Sequence, residues 1–333
     1  MNLKILIAVA FIIIISNSLS GCSQPKVIYV VKLSPPDMIE QFKLKQIDGF
    51  VAWEPFVTKG SMVGGKVLLT SSDIWRHHPC CVVAYSEKFK EEAALKAVVW
   101  AHVKATEFIT DEKNREKVIE YASEFTGLER EVVAKAIGNI EFTTYPDEKE
   151  FRIYFENLKK YGLLSRKLSD LGFKDEEEFF SNFLRKDIYD SVRKMNEPPQ
   201  YSGEVRIGYL TADLHQLALY VAIKEGYLDR TGIKYELKQY KNGVAVMEAF
   251  KAGEIDVAYL GGAPATLKRI NDDIKIRIIA GANNEGSAIV VQKDITSVED
   301  LKGKTIAIPG YGTVQDFLLR IVAEKHGMRI VSK

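Results

Sequence analysis

Between residues 27 and 86, short apolar runs alternate with short amphipathic segments. Residues 27–33, 47–53, 66–70 and 81–86 read as strands, and a helix opens at Pro35. Ser34 suits an N-cap, and a proline suits the first helical turn. From Lys88 to Asn196 the period changes. Leu95, Val98, Val99, His102 and Val103 recur at three and four, as do Val118, Ile119, Ala122 and Phe125, and later Phe179, Phe180 and Phe183. That spacing predicts a run of helices, punctuated at Gly127 and Gly162. Residues 197–203, polar and carrying Pro198-Pro199, read as a linker. From Glu204 onward strand and helix alternate again, which predicts an α/β fold of sheets covered by helices.

One two-part module occurs twice. Phe250-Lys251 precedes Ile255-Asp256 and the run Val257–Leu260; Phe42-Lys43 precedes Ile47-Asp48 and the run Gly49–Trp53. The first copy has a strand–turn–helix upstream, residues 205–210 and then His215-Gln216. The matching piece for the second copy stands at the other end of the chain, at residues 304–309 followed by Gly310-Tyr311-Gly312-Thr313 and a helix with Gln315-Asp316. Repeated units of this kind predict two similar lobes, one of them built from both chain ends.

The first residues set a compartment. Lys4 supplies a basic start, residues 5–15 are apolar, and Leu19-Ser20-Gly21-Cys22 follows. This is the layout of a signal peptide over residues 1–21. The apolar run is shorter than the roughly 20 residues of a membrane span. The alternative is an uncleaved anchor helix, and both place the rest outside the cytoplasm. The leader carries Lys4 as its one charge, so basic and acidic residues balance beyond it. A balanced chain lacks the basic stripe that nucleic acid requires. Besides Cys22 the cysteines are Cys80 and Cys81, neighbours that are poorly placed to bridge one another, so no disulfide framework is expected.

Candidate chemistry gathers at strand exits. The turn from Gly310 through Thr313 to Gln315 offers backbone N–H groups and a hydroxyl at a helix start, which suits an anion or simply tight packing. Gly261-Gly262-Ala263-Pro264 makes a similar turn in the other lobe. Tyr209, His215 and Gln216 sit on and just past the exit of the first strand of that lobe, where ligands of open α/β sheets bind; His215 reads more readily as a surface or capping residue than as a ligand contact. Trp53 and Glu54 end another strand, with Trp53 able to stack on a ligand or to wall a cleft. Asn284 lies where a lobe-crossing segment begins, to reach a ligand or to make a turn. Asp37 reads alone as a first-turn acid favouring the helix dipole.

Several enzyme signatures fail. Gly60–Lys66 has P-loop spacing, but Val67 stands where a magnesium-binding hydroxyl is needed. Gly310-x-Gly312 lacks a third glycine, since residue 315 is glutamine. His77-His78-Pro79-Cys80-Cys81 has metal-like composition, but neighbours on an extended segment point to opposite sides, so a hinge is expected there and no metal. No Gly-x-Ser-x-Gly elbow is present. No catalytic residue and no cofactor is assigned.

Residues 205–260, 281–291 and 297–304 resemble the first half of a nitrate/sulfonate/taurine-type solute-binding protein of ABC transporters. Residues 306–320 are similar to that family's second-lobe turn. Pro35-Pro36-Asp37-Met38, Ile47-Asp48-Gly49-Phe50, Trp53-Glu54-Pro55-Phe56 and residues 71–83 resemble its later half, but stand first in this chain. The resemblance implies a circularly permuted, two-lobed periplasmic-binding-protein type II fold, each lobe a mixed sheet flanked by helices; a broken gene or a tandem-array fragment is the other reading. The second lobe would comprise residues 27–66 and 288–333. The first would comprise 67–287, with a helical extension at 88–196. It implies capture of a small anionic or zwitterionic solute between the lobes, with Asp37 and the turn residues above facing it. It also implies a monomer, with a permease and its ATPase as partners; the cysteine at the cleavage point resembles a lipobox, which implies a lipid on Cys22 and a place at the extracytoplasmic face of the membrane. The rival classes are a pyrimidine-biosynthesis-type enzyme on the related fold, whose reactive residues would come from 77–81, and a ligand-sensing lobe protein.

Overall fold

The computed structural model describes residues 26–333. The leader and Cys22 lie outside the described residues. Twelve strands among them form two six-stranded sheets. One contains β1 (Val27–Lys32), β2 (Gly49–Trp53), β3 (Lys66–Thr70), β10 (Ser287–Val291), β11 (Thr305–Ile308) and β12 (Arg329–Ser332), in the order β12-β1-β11-β2-β10-β3. The other contains β4 (Pro79–Ser86), β5 (Ile140–Phe142), β6 (Glu204–Leu210), β7 (Lys234–Tyr240), β8 (Val257–Gly261) and β9 (Ile276–Glu285), in the order β5-β9-β4-β8-β6-β7.

Pairing within each sheet is mixed. β1 runs parallel to β11 and β12, and β11 parallel to β2, whereas β10 is antiparallel to both β2 and β3. In the other sheet β6 is parallel to β7 and β8, and β4 is antiparallel to β8 and β9. β4 and β2 are buried along their whole length, as central strands covered on both faces must be. β1, one strand in from the edge strand β12, instead alternates, with Ile28 and Val30 inside and Tyr29 outside.

The chain ends meet in one sheet. Val27 lies opposite Arg329, and the Lys333 N–H donates to the Val30 carbonyl at 3.0 Å. The expected lobe boundary after Lys66 cuts through β3, which pairs with β10 and so belongs to the sheet of the chain ends. The chain passes between the sheets twice, from β3 to β4 through residues 71–78 and from β9 to β10 through Gly286. Glu285 and Gly286 both have positive φ, 57° and 79°, and turn the chain sharply there.

The helices form where the spacing predicts. Ser34 caps the helix Pro35–Lys43, accepting from Asp37 N. The long helix Glu92–Thr110 buries Leu95, Val98, Val99 and Val103 against the sheet of β4 and against the helix Leu217–Lys224. Phe151, Phe155, Phe179, Phe180 and Phe183 make an aromatic cluster, with Phe179 and Phe183 stacked at 5.2 Å.

His102 sits in the core beneath this helix. Its Nε2–H donates to the Gly281 carbonyl at 2.6 Å and its Nδ1 accepts from the Tyr259 hydroxyl at 3.1 Å. Burial lowers its pKa to about 4. The unfolded chain therefore binds a proton below about pH 6.5 that the folded chain refuses until about pH 4. Stability should fall as pH drops through that window, by on the order of 3 kcal/mol from this residue. Denaturant melts at pH 7 and pH 4.5 should show a steeper acid loss in wild type than in His102→Gln. Equal slopes would remove His102 as the cause.

Candidate functional site

Four strand ends and one helix start converge between the sheets. Trp53 closes β2, Leu210 closes β6, Gly261 closes β8, and Val314 opens the helix Val314–Lys325 after β11. Cys80 and Cys81 arrive from the start of β4, which runs the opposite way. With Asp213, His215, Gly243, Pro264, Thr313 and Gln315 they line a cavity of about 20 Å³. That is room for a single water molecule. The cavity lies outside the carboxyl ends of parallel strands from both sheets, the position from which open α/β sheets bind ligands.

The sequence places His215 here, and the fold makes it the hub. Its Nδ1 lies 3.4 Å from Cys80 Sγ and 3.9 Å from Cys81 Sγ, and its Nε2–H donates to the Gly286 carbonyl at 3.1 Å. Asp213 caps the turn, accepting from His215 N at 3.0 Å, and stands 3.8 Å from Nδ1. Gln216 does not reach the cavity. Its side chain accepts from Leu210 N at 2.7 Å and donates to Asp213 Oδ2 at 3.2 Å, so it braces the turn.

Adjacent cysteines on a strand should face opposite ways. Here the β4–β9 register shifts on both sides of Cys81, and Asn283 Oδ1 takes the Cys81 N–H at 3.2 Å. The bulge rotates the backbone, so both thiols reach the same imidazole. The expectation of opposed side chains is thereby corrected. A hydrogen bond from Cys81, helped by the charge of His215, holds the Cys80 thiol well below its ordinary pKa despite burial. That same bond and burial push Cys81 well above it. Burial opposes the His215 imidazolium, but the Cys80 and Asp213 charges outweigh it and raise its pKa to about 9. Burial raises the Asp213 carboxyl to about 7. Cys80, Cys81 and His215 place three donor atoms within 4.8 Å of one another; the more exposed His77, Glu141 and Glu285 form a second such group.

The glycine turn is less open than its sequence implies. Gly312 N donates to Asp316 Oδ2 at 2.9 Å, and the Thr313 hydroxyl donates to the Gly310 carbonyl at 2.8 Å while capping Asp316 N. These groups are already satisfied. Gly312 has φ 76°, and a Cβ there would lie 2.3 Å from Leu267 Cδ2, so its glycine serves packing. The groups left for a ligand are the first-turn N–H groups of Val314 and Gln315. The Gln315 side chain donates to Ser287 Oγ at 3.0 Å. The buried Trp53 Nε1–H has no acceptor.

Other expected residues stand elsewhere. Tyr209 points to the opposite face of β6 and packs on Phe125 at 6.1 Å, because alternation gives the cavity to Leu210. Asp37 is exposed and bonded to Ser34. Glu54 turns away from the cavity, accepting from Thr58 N and Oγ1 at 3.0 Å and from Asn139 Nδ2 at 2.7 Å, and burial raises its pKa. It lines a separate groove of about 430 Å³ with Ser71, Ser72 and Lys135. Asn284 sits opposite Pro79 with its Oδ1 unpartnered, while its neighbour Asn283 braces Cys81. Gly262 and Ala263 begin the helix Gly262–Asn271, Gly262 against Phe151 and Ala263 in the core, one step past the cavity-lining Gly261. Asp213 and the cysteine pair were not assigned to the site from sequence, although an acid two residues before His215 was a readable signal.

Gly286 is fixed by this arrangement. Its φ is 79°, and an added Cβ would meet His215 Nε2 at 2.3 Å. Gly286→Ala should lower stability by about 1–3 kcal/mol through backbone strain and displacement of His215. Gly253→Ala, with similar φ and no close neighbour, should cost no more than the strain itself. Matching thermal shifts in the two variants would refute the His215 contact.

Two family profiles match the chain. One is described as the NMT1-like family and matches residues 19–123; the other is described as NMT1/THI5 like and matches residues 215–332. A protein of Brucella abortus (strain 2308) is 30% identical over 128 residues, 38% of this chain and 39% of that protein. The taurine-binding periplasmic protein of Escherichia coli (strain K12) is 28% identical over 101 residues, 30% of this chain and 31% of the relative. The nitrate/nitrite binding protein NrtA of Nostoc sp. (strain PCC 7120) is 22% identical over 205 residues, 58% of this chain and 46% of the relative. The chain thus spans less than half the length of each of these relatives. Among solved structures, NikA from Staphylococcus aureus in complex with Ni(L-His)2 overlays with a TM-score of 0.40 at 10% identity, over 80% of this chain and 58% of that one. The chain thus resembles the NMT1-like family over residues 19–123 and the NMT1/THI5-like family over residues 215–332.

Proposed function

We propose that this chain is the solute-binding component of an ABC importer, held outside the cytoplasm by a lipid on Cys22. Its solute would be small and anionic or zwitterionic, of the nitrate, sulfonate or bicarbonate type. The observation that carries this is one cavity bounded by strand ends of both sheets. Relatives named for taurine and for nitrate fit the same reading. The N–H groups of Val314 and Gln315 and the Trp53 indole would hold an anionic group. Asp213 on the opposite wall would suit the ammonium of a zwitterion. At about 20 Å³ the cavity is too small for such a solute, so the lobes must part about the segments at 71–78 and Gly286 to admit it. A permease and its ATPase would then receive it.

Native mass spectrometry of freshly purified protein should reveal a retained small molecule. Calorimetric titration with taurine and with nitrate should show binding of at least one. Trp53→Phe, which removes the indole N–H, and Val314→Pro, which removes a first-turn N–H at a position that accepts proline, should each weaken it about tenfold or more. Unchanged affinity in both variants would exclude this cavity. A second reading, an enzyme, draws on the buried Cys80–His215 contact. It predicts that an added solute is recovered chemically altered, and binding alone predicts recovery intact. For the anchor, Cys22→Ser should release the protein from membranes, and fractionation identical to wild type would exclude the lipid.

We also propose that the chain order is a circular permutation. Lys333 bonds at Val30 and β12 runs parallel to β1, so joining Lys333 to residue 26 takes a crossover connector of about a dozen residues or more. A variant so joined, with new ends opened within 197–203, should fold with a melting temperature within a few degrees of wild type. Failure to fold would favour a fragment.

A further inference from the structure

Three thiophilic donors meet at the wall of the cavity, within 4.8 Å of one another. Zinc holds sulfur at about 2.3 Å and imidazole nitrogen at about 2.05 Å, so tetrahedral geometry sets ligand S···N separations of about 3.5 Å. Nδ1 of His215 lies 3.4 Å from Cys80 Sγ and 3.9 Å from Cys81 Sγ. We infer that Cys80, Cys81 and His215 form a site for one thiophilic metal ion of the zinc class, with a fourth position facing the cavity.

The surroundings support a ligand set. The His215 Nε2–H is committed to the Gly286 carbonyl, so when the ring gives up its second proton to a metal the Nδ1 lone pair faces the thiols. A carbonyl behind a ligating imidazole is the usual outer partner of a metal-bound histidine. The β4 bulge turns both thiols inward, and Asn283 replaces the strand partner that Cys81 N–H gives up to it. Two thiolates and an imidazole are soft or borderline donors, which select zinc or copper(I) over magnesium or calcium. The nearest hard donor, Asp213, already accepts from His215 N and from Gln216 Nε2. The buried His78 Nε2 has no partner and belongs to the segment that leads into Cys80. The fourth position opens to Trp53, Val314 and Gln315, so water or an anionic group of a solute could occupy it.

Metal uptake is measured without any solute, so this inference and the importer reading fail separately. The full chain, reduced and treated with chelator, should bind one Zn²⁺ per molecule more tightly than about 1 μM in competition with a chromophoric chelator. Co²⁺ should give a thiolate-to-cobalt charge-transfer band with tetrahedral visible bands. Cys80→Ser/Cys81→Ser and His215→Gln should each lose about 100-fold or more in affinity. Glu285→Gln, in the exposed group, should change nothing. Should the cysteine variant fail to fold, Zn²⁺ should still shield two thiols of wild type from alkylation, counted by mass spectrometry. Absence of stoichiometric binding, alkylation of both thiols at an unchanged rate, or loss of binding in Glu285→Gln alone would overturn the site.

Discussion

The sheet of the chain ends holds together through β1. This strand, from the start of the described chain, lies between β11 and β12 from its end and bonds to both. Without it β12 would lose its strand partner, and β11 would keep β2 alone. Such contacts span nearly the whole chain, so the entropy of closing that loop is met before any pairing reward is gained. That cost grows only slowly with length, which is why a lobe can be assembled from both ends at all. The turn that supplies Val314 and Gln315 follows β11, and Trp53 ends the neighbouring β2. Half of the cavity therefore depends on β1 pairing correctly.

Much of this is legible in the amino-acid sequence. The repeat of a helix running into Ile-Asp and an apolar strand named β2 and β8, and it implied that residues 304–309 complete the lobe of residues 47–53. β11 and β2 are indeed neighbours. Side-chain direction was less legible. Tyr209 and Leu210 are adjacent in sequence, and only the pairing of β6 decides which faces the cavity. The Gly310–Thr313 turn advertised free donors, but Asp316, four residues past Gly312, consumes one of them. Composition shows a donor, whereas tertiary geometry shows whether it is spent.

The cysteine pair is the strongest case of hidden geometry. Strand alternation argues that Cys80 and Cys81 diverge, and that argument holds for a regular ladder. A bulge breaks the ladder at that point. Pro79, with no N–H to give the ladder, is the one local residue of β4 that hints at it. The cause is Asn283 on the partner strand, far along the chain, whose side chain substitutes for backbone. Bulges beside functional sites re-aim side chains in this way.

The same residues couple the cavity to the crossing segment. The Gly286 carbonyl accepts from His215 Nε2–H and from Glu54 N, at 3.1 and 2.9 Å. Leu214 N in turn bonds the Glu54 carbonyl at 3.3 Å. Thus the turn bearing His215, in one sheet, and the end of β2, in the other, share one hinge carbonyl. Parting the sheets must stretch some of these bonds, and closing them restores all three together. Whatever occupies His215 Nδ1 polarises the ring and strengthens the Nε2–H bond on its far side. The cavity wall and the crossing segment at Gly286 therefore meet at a single imidazole.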